Sequence, residues 1–197
     1  MIRSDRSGQP QKQQLLTAAY GFLIFLTYPI GSVFLPLRMI TSYTSQEQAT
    51  IAQAPLLAGF AVAASDLGIV STAIEIAALS REIVGAARKY PQNSVIQSVF
   101  SEAALRNGTV KLDPPTLKPE DVKAGALINQ AIAAINTALD SLHGKATPEE
   151  IGEYKTFIYT CAEAVANAAG SGLFGSGEKV SEQEAVALTK IKEALTL

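Results

Sequence analysis

Residues 127–143 read LINQAIAAINTALDSLH, and this stretch decides the fold. Ile128, Ile132, Ile135, Leu139 and Leu142 step by four, three, four and three residues, which places them on one stripe of an α-helix. Asn129, Gln130, Asn136, Thr137 and Asp140 fill the opposite side. A strand would need alternation in steps of two, and no part of the chain sustains it with β-branched residues.

The same grammar extends on both sides. Downstream, Thr147, Pro148 and Glu150 form a capping box with proline at the first helical position, predicting a helix that buries Ile151, Tyr154, Ile158, Cys161 and Val165. Ser181 with Glu184 repeats the box ahead of Leu188, Ile191 and Leu195. Upstream, Ser45 with Gln48 fits a further box, opening a helix that Pro55 is expected to interrupt or restart. Ser65-Asp66 then caps a helix with Ile69, Ala73, Ile76, Ile83 and Ala87 facing inward, stopped at Pro91. A shorter helix over 94–105 turns Val95, Val99 and Phe100 inward and ends at Asn107-Gly108. Pro114-Pro115 makes 109–118 a non-helical connection, and Pro119 can open the helix after it. The fold class is all-α, a compact bundle of five to six helices. Alanines on the inward faces predict close helix approach.

Ahead of the bundle lies an apolar N-terminal segment. No charged residue occurs between Lys12 and Arg38, and residues 13–37 are long enough to cross a ~30 Å hydrocarbon core. Pro29 and Pro36 interrupt that run, and no A-x-A-like cleavage site follows it. Four readings stand: translation beginning at Met39, a membrane anchor, a signal peptide, or a folded part of the domain. The expected division is therefore 1–38 and 39–197. The protein would be cytoplasmic if translation starts at Met39, and otherwise membrane-anchored through 13–37.

Charge narrows the partners. Arg3, Arg6, Lys12 and Arg38 against Asp5 leave +3 on residues 1–38, so with a net charge of −2 the remainder carries −5. An acidic body offers no footprint for nucleic acid. One cysteine, Cys161, precludes an intrachain disulfide, and with one histidine, His143, an ordinary zinc site is out of reach.

The motifs that invite chemistry have structural readings. Gly170, Gly172 and Gly175 match G-x-G-x-x-G, but a helix precedes them where a dinucleotide site needs a strand. Glu178 stands where a phosphate-binding lysine would be required. His143 sits at a helix C-terminus and Cys161 on an apolar seam. Glu149, Glu150 and Glu153 occupy a first helical turn, where acids complement the dipole. Glu75, between Ile74 and Ile76, is the acid expected to be partly buried. No catalytic, cofactor-binding or metal residue is assigned.

QAPLLAGFAVAASDLG at 53–68 and EYKTFIYTCAEAVANAAGSGLFGSGEKVSEQEAVALTKIKEAL at 153–195 resemble short bacterial proteins, cyanobacteria among their sources, whose activity is uncharacterised. The resemblance covers most of 46–195 and none of 1–38. It implies a small, helical, cytoplasmic protein and carries over no functional residue. The closing S-E-x-E helix is also similar to tellurite-resistance bundles, without their acidic metal motifs. The expectation is a non-enzymatic accessory or interaction protein with a protein partner. The alternatives are a single-pass membrane-anchored helical domain and a binder of a small apolar ligand.

Overall fold

A computed structural model describes residues 42–65, 72–108, 125–169 and 180–197, all within one unit, Thr41–Leu197. Those residues form α1 (Ser45–Ala63), α2 (Thr72–Lys89), α3 (Ser94–Phe100), α4 (Glu102–Arg106), α5 (Ala126–Leu142), α6 (Pro148–Ala169) and α7 (Glu182–Leu195), with no strand among them. The expected bundle is present. The apolar segment, the 109–118 connection with Pro119, the glycine motif at 170–179, and Asp66 and Ile69 lie outside the described residues.

α1 is the centre. Every residue from Ala54 to Val62 is buried, so this apolar half of the helix has no solvent face. It packs most extensively on α5 and α6, while α2 lies on α6, and α7 closes over α5 and α6. Gly59 lets α2 approach, since a Cβ there would lie 2.7 Å from a methyl of Leu79. The α5 seam is realised with a small rotation. Ile128, Ile135 and Leu142 are buried along with Ala131 and Ala138, whereas Ile132 and Leu139 pack half-buried at its edge. Between α2, α3 and α6, Phe157 meets Phe100 and Tyr90 edge-on, with centroids 5.1 and 6.2 Å away.

Four expectations change. The first box is Thr44 with Glu47, one residue earlier than Ser45 with Gln48, because the Glu47 carboxylate accepts from both the Thr44 N–H and its hydroxyl. α1 runs straight through Pro55 for a reason that lies on another helix, given below. The buried face of α2 is Glu75, Leu79, Ile83 and Ala86, while Ala73 is exposed and Ile76 and Ala87 are only half-buried. The 94–105 helix breaks at Ser101, whose extended backbone (ψ 154) ends α3 and whose hydroxyl accepts from Ala104 N–H to start α4. Counted through that break, the helices among the described residues number six.

Candidate functional site

Three places bring polar or reactive side chains together. The first is buried. Proline has no N–H, so Pro55 leaves the carbonyl four residues back, Ile51 O, without its helical partner. Tyr154 of α6 supplies the missing donor, its hydroxyl reaching Ile51 O at 2.6 Å with both residues fully buried. Burial, with a smaller contribution from Cys161, raises the Tyr154 phenol well above its ordinary value, so the proton needed for donation stays in place. This bond explains why the proline does not end the helix.

The second is a clasp between the starts of α3 and α6. Asn93 Oδ1 accepts from Ile96 N–H as the cap of α3, while Nδ2 donates to Glu150 O at 2.9 Å and to Glu153 Oε2 at 2.8 Å. Glu150 serves two helices at once. Its Oε2 accepts from Thr147 N–H, closing the expected box, and its Oε1 accepts from the Ser94 N–H and hydroxyl. Gln97 performs a similar office for α2, donating to the carbonyl of Ala87 in its last turn and to that of Tyr90 just past its end. These acids are engaged in helix ends, as their first-turn position suggested. Among the described residues no group of three potential metal ligands forms.

Beside this clasp, Lys145 pairs with Glu47 and stands 5.8 Å over the ring of Tyr43. The Lys145 bond, reinforced by the Thr44 N–H, holds the Glu47 carboxyl at about 2, below its ordinary 4.5. Burial pushes the Tyr43 phenol up to about 12, with Glu150 and Glu47 adding to the shift.

The third place is a surface groove of about 380 Å³ between α6 and α7, walled by Tyr159, Val180, Leu188 and Leu197 with Lys192 and Glu193 on its rim. The Lys192 ammonium lies 5.8 Å from the Tyr159 ring centroid. Such a groove can hold an apolar group with a polar end at the lysine.

Of the residues singled out from sequence, Glu150 and Glu153 meet at Asn93, while His143, Cys161 and Glu75 lie on three different helices. His143 is the C-cap of α5, exposed, with its imidazole 3.9 Å from Asp140. Cys161 is buried in α6, and burial raises its thiol well above the ordinary value, with Glu82 adding and Lys89 opposing. Glu75 is 1% exposed on the inner face of α2, more deeply placed than expected. Sequence reasoning missed the Tyr154–Ile51 bond and the Asn93 clasp. The proline signalled an orphaned carbonyl, but nothing local identified a donor 103 positions away. Among the described residues no helix is long and apolar enough to cross a membrane, and residues 13–37 are not among them. Neither a protein-family model, nor a curated protein, nor a solved structure matches the chain.

Proposed function

We propose that the helical body is a non-enzymatic accessory protein that works by surface contact with a protein partner. One observation carries this reading. The polar side chains that converge from different helices, Asn93, Ser94, Glu150 and Glu153 in one cluster and Glu47 with Lys145 in the other, are committed to caps and clasps. Catalysis by general acids and bases needs a donor and acceptor left available to substrate, and these pairs are spent on architecture. Uncommitted charge and apolar surface lie instead on the solvent sides of α2 and α7.

The test is a photo-crosslinking residue placed at Val84 of α2 in the full chain, expressed in its own host, with Asn136 on the polar side of α5 as control. A discrete adduct at 84 and none at 136 supports the reading. Adduct-free chain from every exposed position of α2 and α7 overturns it.

Two alternatives have their own observations. The α6–α7 groove favours an amphipathic small ligand, and saturable binding of a short alkyl carboxylate, lost in Leu188→Glu, would establish it. The uncharged run at 13–37 favours a membrane-tethered form of the same module. Intact mass of the protein from its host decides that point, since a chain beginning at or near Met39 has no anchor.

A further inference from the structure

Five asparagines stand in the chain, and the residue after each decides its chemistry: Asn93-Ser94, Asn107-Gly108, Asn129-Gln130, Asn136-Thr137 and Asn167-Ala168. The side-chain amide of an asparagine is an electrophile for the backbone nitrogen of the next residue, because attack there closes a five-membered imide. A side chain on that next residue crowds the attack. Glycine, with no Cβ, is therefore the most permissive successor, and the small serine is the next. Two candidates follow, Asn107 and Asn93, and the fold separates them.

Asn93 is 1% exposed, and its amide nitrogen donates to Glu150 O at 2.9 Å and to Glu153 Oε2 at 2.8 Å. The nitrogen that would attack it, that of Ser94, donates to Glu150 Oε1 at 2.9 Å. Both reacting groups are thus held by the clasp. Asn129, Asn136 and Asn167 lie within α5 and α6, where the helical ladder directs the following N–H toward the carbonyl four residues back.

Asn107 has none of these restraints. It is the exposed C-cap of α4, and its side chain makes no hydrogen bond among the described residues. α4 is five residues long and buries none of them, so its last turn opens at little cost. The Gly108 N–H is held only by a long bond of 3.4 Å to Leu105 O. Gly108 has φ +64, and a Cβ built there meets nothing within 4 Å, so no neighbour shields the approach. With Asn107 at ψ −3 the Gly108 nitrogen sits beside the Asn107 N–H, away from Cγ. Opening of that turn frees ψ to rotate and brings the two together.

We propose that Asn107 is a site of self-modification, converted through an imide with Gly108 to aspartate and isoaspartate, whatever the body binds. Hydroxide takes the Gly108 amide proton, and the nitrogen lone pair forms a bond to Asn107 Cγ. The Cγ–Nδ2 bond breaks, and Nδ2 takes a proton from water and leaves as ammonia, regenerating hydroxide. A second water opens the imide at either carbonyl. One opening gives aspartate; the other gives isoaspartate, in which the main chain runs through the former side chain. Nothing is oxidised or reduced. Hydrolysis does not return asparagine, so the change accumulates with the age of each chain. It takes the −5 of residues 39–197 to −6 and places the new charge at the C-terminal end of a helix, where the dipole disfavours an anion.

The test is to age the full chain in mildly alkaline buffer, folded and in guanidinium chloride, and to map its peptides by chromatography with mass spectrometry. In the folded chain the peptide holding Asn107 should gain the mass difference between amide and acid and resolve into two isomers. It should do so at least about tenfold faster than the peptide holding Asn93. Guanidinium should accelerate Asn93 at least about tenfold more than Asn107, since only Asn93 loses a shield on unfolding. Asn107→Gln, which would have to close a six-membered ring, should fold with the same circular dichroism and lose the early acidic product on isoelectric focusing. Equal rates at Asn93 and Asn107 in the folded chain, equal acceleration of both on unfolding, or an acidic product that persists in Asn107→Gln each overturns the assignment. A single isomer at 107 overturns the imide route.

Discussion

Removing one oxygen from Tyr154 should reveal how a proline is carried in the central helix. In Tyr154→Phe the ring stays in its fully buried seat, but Ile51 O loses the hydroxyl that reaches it at 2.6 Å. Pro55 cannot replace that donor, so a carbonyl at the core of the bundle is left without a partner. An orphaned buried group of this kind costs about 1–3 kcal/mol. The control lies in the proline itself. Pro55→Ala restores an N–H four residues from Ile51 O, so in that background Tyr154→Phe leaves the carbonyl still bonded, and its cost should fall below about 1 kcal/mol. Effects of Pro55→Ala on unfolded-chain entropy and on helix propensity cancel in the double-mutant cycle. The expected coupling is about 1–2 kcal/mol. Urea denaturation followed by far-UV circular dichroism on all four proteins supplies the free energies. If Tyr154→Phe costs the same in both backgrounds, to within about 0.5 kcal/mol, the hydroxyl is not what sustains the helix through Pro55.

Other perturbations address other parts of the fold. Ile135→Ala, at a fully buried point of the α5 seam, should destabilise by about 2–5 kcal/mol, and a urea midpoint equivalent to less than 1 kcal/mol would mean the seam is not core. Asn93→Asp keeps the cap of α3 but replaces the amide donor with a carboxylate facing Glu150 and Glu153; a loss of about 2 kcal/mol or more is expected, whereas a neutral result would reduce Asn93 to a cap alone. Gly152→Ala, where a Cβ meets nothing within 4 Å, should stabilise α6 by about 0.5–1 kcal/mol, read as a rise in melting temperature. The Glu47–Lys145 pair makes stability depend on pH. A carboxyl held at about 2 against an ordinary 4.5 contributes fully above 4.5, and its contribution is lost as pH falls toward 2. The stability gap between the protein and Lys145→Met should therefore narrow across that window, and a gap flat with pH would remove the pair from the account.

What the sequence discloses is what local spacing controls. The boxes at Thr147–Glu150 and Ser181–Glu184 lie three residues apart, so both partners are visible in one glance at the chain, and both form. The α5 stripe is visible because its polar side is polar. On α2 the same reading misplaces part of the buried face, which runs through Glu75, Leu79, Ile83 and Ala86 and leaves Ala73 exposed, because alanines and isoleucines stand on both sides of that helix. The break at Ser101 was hidden for a different reason. Val95, Val99 and Phe100 carry a correct inward face up to the serine, and helical periodicity says nothing about one residue turning extended.

The candidate site was less legible than the fold because its members are joined across the chain. Asn93 and Glu150 stand 57 positions apart, and Tyr154 and Ile51 stand 103 apart. Each of these contacts nevertheless answers a demand that is local. Pro55 requires an outside donor for Ile51 O, and the first N–H groups of α3 require outside acceptors, which Asn93 and Glu150 provide. The sequence thus states which backbone groups will be orphaned, and the fold decides which side chains answer. In this bundle the answering residues include the tyrosine, asparagine and glutamates that would otherwise be the first candidates for chemistry.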